Sequence, residues 1–154
     1  VSQVNVLPAT AISVAGPSTV DKVVDVTTGG LNVLGRRLVY EADVTMTASG
    51  ASTNTVRLTI KLGATTYNLT TSISKSFGGA GSTTYKIRGS AIVQVAGSSG
   101  TLRTAQEVIE TASAPALAVT TISSADLTGV VEIGATAGAS AGTTTVQNLI
   151  ATLI

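Results

Sequence analysis

In the run Val56-Arg57-Leu58-Thr59-Ile60-Lys61-Leu62 every second side chain is apolar. Successive side chains of a strand point to opposite faces, so such a run builds one buried face and one wet face. The same period recurs along most of the chain, in runs separated by Gly, Ser, Thr and Ala. Leu38, Tyr40, Ala42, Val44 and Met46 form one face, against Val39, Glu41, Asp43, Thr45 and Thr47. Further on, Tyr85, Ile87, Gly89, Ala91, Val93 and Val95 alternate with Lys86, Arg88, Ser90, Ile92 and Gln94. The pattern predicts an all-β chain folded as an antiparallel β-sandwich of about eight principal strands.

The punctuation between runs sets the boundaries. Ala48–Ser52 reads as a turn and Gly63-Ala64 as a hairpin signal, with Thr65–Thr71 as the return strand. Ser76–Ser82 reads as a long loop, and Gly97–Gly100 turns the chain into a strand over Thr101–Thr111. Ala116–Ile122, Val130–Thr136 and Thr143–Ile154 follow as strands. One stretch competes for helix: Ala105, Val108, Ile109 and Ala112 sit at helical spacing, but the β-branched content of Thr101–Thr111 favours strand. Residues 1–30 differ from the rest, because Pro8 and Pro17 interrupt short apolar runs and proline suits only an edge or an irregular arm. They read as an N-terminal arm or anchor with room for an extra strand at Val20–Val26, residues 1–18 packing on a neighbour. Residues 31–154 read as the sandwich domain.

Composition narrows function by what it lacks. The chain contains no histidine and no cysteine, and 11% of its residues are charged. Most acid/base chemistry near neutral pH, most transition-metal binding and any disulfide framework need the missing side chains. Glu41 and Asp43 share a strand face, yet a glycosidase pair flanks a cleft among aromatics, and aromatics are only 3% here. Ser72-Ile73-Ser74-Lys75 spaces a serine and a lysine as some nucleophilic sites do, but in a stretch that reads as strand and loop. Gly78-Gly79-Ala80-Gly81 lacks the Lys-Ser/Thr ending of a phosphate loop. The expectation is a protein that is not an enzyme, with no catalytic residues, metal or cofactor. A net charge of +1 gives no general attraction to nucleic acid or anionic membranes. There is also no run of about 18 apolar residues to span a bilayer. The opening residues, Val1-Ser2-Gln3-Val4-Asn5, lack the basic and apolar regions of a signal peptide, as an already processed chain would too.

Charge order carries a finer signal. Between Asp43 and Glu107 the chain holds Arg57, Lys61, Lys75, Lys86, Arg88 and Arg103 with no acid. Arg57 with Lys61, and Lys86 with Arg88, each share a strand face and form a candidate basic patch for an acidic neighbour or glycan. Pairing within the sheet, with Glu132 or Glu107 across from these bases, accounts for them better. Val39, Ile92 and Ile109 interrupt otherwise polar strand faces and are candidates for contact between copies; a second core layer under a loop accounts for them equally well. Phe77, in its Gly-rich loop, is the one aromatic expected to be exposed.

The order of these runs resembles a recurrent family of phage virion proteins. The resemblance lies in the opening strand Leu38-Val39-Tyr40-Glu41-Ala42, the run Val56–Thr66, the later strand Tyr85–Val95, and the closing Thr143-Thr144-Thr145-Val146-Gln147-Asn148-Leu149-Ile150. It spans Arg37 to Ile154, and its residues are structural. Members are head-fibre, capsid decoration or tail-spike domains with a single jelly-roll, TNF-like sandwich, typically homotrimeric. The resemblance implies a non-enzymatic structural protein of the virion, partnered by its own copies and by other capsid or tail proteins. It further implies that the loops Ala48–Asn54, Ser76–Ser82 and Gly97–Gly100 face outward, with a host surface glycan as a further candidate partner. The alternative is a carbohydrate-binding or adhesin sandwich module, for which Phe77 would be the platform.

Overall fold

The computed structural model describes residues 3–6, 12–15, 20–26, 28–110 and 115–154. Its regular elements are strands throughout: β1 (Gln3–Val6), β2 (Ile12–Ala15), β3 (Val20–Val26), β4 (Arg37–Ala48), β5 (Ser52–Leu62), β6 (Thr65–Asn68), β7 (Ile73–Phe77), β8 (Gly81–Val95), β9 (Gly100–Glu110), β10 (Ala116–Ala125), β11 (Val131–Ala139) and β12 (Gly142–Leu153). They form two antiparallel sheets packed as a sandwich. The large sheet has the order β1-β12-β4-β8-β9-β10, with β2 also on β12; the small sheet runs β3-β11-β5-β6, with β7 also on β5.

The first long strand pairs with the last, β4 with β12, and the second with the last but one, β5 with β11. This nesting places the halves of each sheet far apart in sequence, as Greek-key sandwiches do. Between the nested pairs, β8, β9 and β10 run as a meander in the large sheet.

Alternation in sequence becomes alternation in burial. Leu38, Tyr40, Ala42, Val44 and Met46 of β4 are buried against Val56, Leu58, Ile60 and Leu62 of β5 and the inner face of β11. With few aromatics, the ends of the core are filled by leucines from loops. Leu31, Leu69 and Leu127 are each 0% exposed, and each contributes about 2–3 kcal/mol of burial.

Two boundaries differ from expectation for physical reasons. The return strand expected over Thr65–Thr71 stops at Asn68, where Leu69 turns into the core. The Leu69 and Thr70 amides both bond the Leu58 carbonyl, and Thr70 Oγ1 accepts from the Leu58 amide at 2.9 Å. There β5 exchanges one partner for another: Thr59–Leu62 pair with β6 and Ser52–Val56 with β7. The loop expected at Ser76–Ser82 shrinks to residues 78–80, because β7 runs to Phe77 and β8 starts at Gly81. Thr101–Glu110 is strand as favoured, and residues 111–114 lie outside the described residues. From Arg37 onward there are nine strands against the roughly eight expected, the extra one arising from this β6/β7 division. Val20–Val26 is β3, paired with β11. The described parts of residues 1–18 lie along β12, while Pro8 and Pro17 fall outside the described residues.

Candidate functional site

The outer face of the large sheet gathers most of the residues singled out above. Register fixes its rows. One reads Ile150–Glu41–Arg88–Glu107–Leu117 across β12, β4, β8, β9 and β10. The row beside it reads Thr152–Val39–Ser90–Ala105–Val119, and the row on the other side Gln147–Asp43–Lys86–Ile109.

The charges in these rows neutralise one another. Lys86 Nζ donates to Glu41 at 2.6 Å and lies 3.0 Å from Asp43, and Arg88 pairs with Glu107 directly across. These bonds hold the Lys86 ammonium, through Glu41 first and then Asp43, and the Arg88 guanidinium above their ordinary values. Asp43 is held low, first by the Asn148 amide at 2.9 Å and then by Lys86. Asn148 reaches it from a bulge in β12, where φ is +52°, a left-handed conformation that asparagine tolerates. The charges of these rows are thus satisfied internally, while Arg37 and Arg103 stand exposed on the same face on either side of Ile92. A shallow depression of about 450 Å³ lies between the charged row and Val39, Ala105 and Leu117.

The structure divides the expected basic patch. Lys86 and Arg88 stand on the large sheet, but Arg57 and Lys61 lie on β5 in the small sheet, facing the opposite side of the sandwich. Lys61 pairs with Glu132 at 3.5 Å, as expected of pairing within the sheet. Val39 and Ile92 are diagonal neighbours on the outer face, since Val39 opposes Ser90 and Arg37 opposes Ile92. Ile109 shares that face but lies beyond the charged row, beside Lys86. All three are half-buried. Phe77 is not presented in a loop: it ends β7 opposite Ser52, half-buried, and packs against the core. Ser72 lies in the irregular link before β7 and Lys75 within that strand; Lys75 donates instead to Glu110 at 2.8 Å. Glu110 also accepts from Thr83 and Tyr85 at 3.0 and 3.2 Å.

The two ends of the sandwich contrast. At one end lie the turns 49–51, 78–80 and 140–141, made of Ser, Gly and Ala. The other end holds the chain around Arg37, the Gly63-Ala64 hairpin, the Gly97–Gly100 turn and the loop before β11. The three loops expected to face outward together are therefore split, with Gly97–Gly100 at the opposite end. That second end exposes Val33, Leu34, Val95, Val130 and Ile154, Leu34 at 69%. Among the described residues two further large hydrophobics are exposed, Leu117 at 78% and Val119 at 57%, both on β10. Sequence reading missed both, because Ala116–Ile122 looks like a buried strand and nothing local reveals that it ends a sheet. Compared with protein-family models, with curated proteins and with solved structures, the chain has no match.

Proposed function

We propose that the chain is a non-enzymatic structural protein of a virion, standing on the capsid or tail surface and assembling symmetrically with copies of itself. The observation that carries this reading is the contrast between the two ends. Exposed Val33, Leu34, Val95, Val130 and Ile154 crowd one end, whereas the far turns are short and built from Ser, Gly and Ala. Exposed apolar surface concentrated at one place marks a protein contact. A domain seated by one end on a shell, its small-residue end outward, needs that asymmetry. The resemblance of Arg37–Ile154 to phage virion sandwiches gives the kind of shell. A glycan module is less well supported, since Tyr40 and Tyr85 are buried and Tyr67 and Phe77 pack on the core.

Two measurements test the reading. Light scattering on the full chain is expected to give a discrete homo-oligomer, and immunogold labelling to find the chain on virus particles from its source. A monomer at all concentrations, or label on cells without particles, would overturn it.

A further inference from the structure

We infer that β10 is an open sheet edge that closes against β10 of a second copy, the two strands pairing antiparallel about a two-fold axis. The inference rests on the self-association reading above and names its surface.

An unpaired strand edge presents a row of backbone donors and acceptors, and soluble proteins blunt such edges with short strands, charges or proline. The other edges here are blunted. One side of the large sheet ends in two four-residue strands, β1 and β2. The small sheet ends on one side in β6 and β7, of four and five residues, and on the other in β3, which carries Asp21, Lys22 and Asp25. By contrast β10 is ten residues long, with neither charge nor proline within it, and it runs regularly over Ala116–Ile122, its one irregularity lying beyond, between Ile122 and Ala125. Among the described residues no strand pairs with its outer edge.

Three features select a second copy as the occupant. An uncharged strand sets no like charges against itself when it meets its own image, whereas a charged partner strand would find no complement. The lengths of the two edges match by identity, so the regular stretch Ala116–Ile122 pairs without remainder, and antiparallel pairing of identical edges closes on itself. Moreover, Leu117 and Val119 continue the outer rows of the large sheet, so joining two copies prolongs that face across the axis. The two-fold contact makes a dimer alone, or an even-numbered assembly when three-fold contacts are added elsewhere.

A cysteine scan tests it on a chain that has no cysteine of its own. Single variants at Leu117, Ala118, Val119, Thr120 and Thr121 place the only thiol along β10. A disulfide needs Cα atoms within about 7 Å, so only positions at or beside the axis reach their own image. The expected result is a disulfide-linked dimer peaking at one or two adjacent positions, with an even-numbered mass for the parent chain. The double variant Leu117→Lys with Val119→Lys sets like charges across the axis and should weaken the contact at least about tenfold, while circular dichroism stays that of the folded chain. No cross-linking at any position overturns the inference. A stable trimer indifferent to the lysine pair also overturns it, and leaves the self-association reading standing. A monomer overturns both.

Discussion

Tyr40 lies across Gly89, its partner in register on β8, and its hydroxyl donates to the Ala105 carbonyl on β9 at 3.3 Å. The ring thus bridges three strands and occupies the space a side chain at position 89 would fill. A Cβ there would clash with the Ala105 carbonyl oxygen and stand 2.5 Å from the Tyr40 hydroxyl. Gly89→Ala should therefore destabilise by roughly 2–3 kcal/mol, a fall in Tm of about 5–10 °C. Tyr40→Phe should cost about 1 kcal/mol or less, because the lost bond is long. The double variant should not recover stability, since the clash with the backbone oxygen persists. Thermal unfolding of the three variants checks this; rescue in the double variant would place the conflict at the hydroxyl alone.

Asn54 ties the sheets together. It is 0% exposed on β5, and its Nδ2 donates to the carbonyls of Thr47 on β4 and Thr143 on β12, both at 3.1 Å. Its Oδ1 accepts from Ser52 at 2.7 Å. Asn54→Leu removes its bonds to the Thr47 and Thr143 carbonyls and to Ser52, and should cost about 1–3 kcal/mol in urea unfolding. Asn54→Asp faces those carbonyls with a buried charge, which raises its folded pKa. Relative to the parent, that variant should be least destabilised below the ordinary aspartate value of about 4 and more so as pH rises through the raised value. The same difference from the parent at pH 4 and pH 7 would contradict the buried placement.

The Arg88–Glu107 pair is exposed enough to be worth little. Glu107→Gln should cost under about 1 kcal/mol. Glu107→Lys is different, since it opposes Arg88 in register and leaves Glu41 as the only nearby acid in its row. That like-charge pair should destabilise by about 1 kcal/mol and be relieved in 1 M salt. Melting curves at low and high salt decide it, and no salt dependence in the lysine variant would sink the ladder.

What the chain wrote locally was legible. Period two located most strands, and Gly63 marked its hairpin, where φ is +62° and Leu62 pairs with Thr65. What depends on the sheet a strand joins was not. Lys61 and Lys86 each share a face with a second base, as alternation requires, but β5 and β8 join different sheets and turn their bases to opposite sides. Tyr67, Leu69 and Thr71 alternate like any strand; the break after Asn68 comes from the Leu58 backbone bonding Leu69 and Thr70. Likewise the apolar run of β10 reads as core, and only its place at the end of the strand order exposes Leu117.

Glu110 and Tyr85 set opposite limbs of the pH profile. Lys75 first, then Thr83 and Tyr85, hold the Glu110 carboxyl below its ordinary value, and the Asn148 amide does the same for Asp43. A depressed carboxyl contributes stability above the unfolded value of about 4, and that contribution is lost as pH falls through the folded value. Lys75→Met removes the largest cause at Glu110, so the variant has less stability to lose in acid and its acid limb should be shallower than the parent's. At the other extreme the Tyr85 phenol is pushed up to about 12, by burial first and then by the charge of Glu110. Its proton is retained in the fold after the unfolded chain has lost it, so stability should fall as pH rises from about 10 towards 12. Urea unfolding across pH, with phenolate absorbance followed alongside, measures both limbs. An acid limb unchanged by Lys75→Met would remove Glu110 from this role, and Tyr85→Phe should soften the alkaline limb while changing the acid limb less than Lys75→Met does.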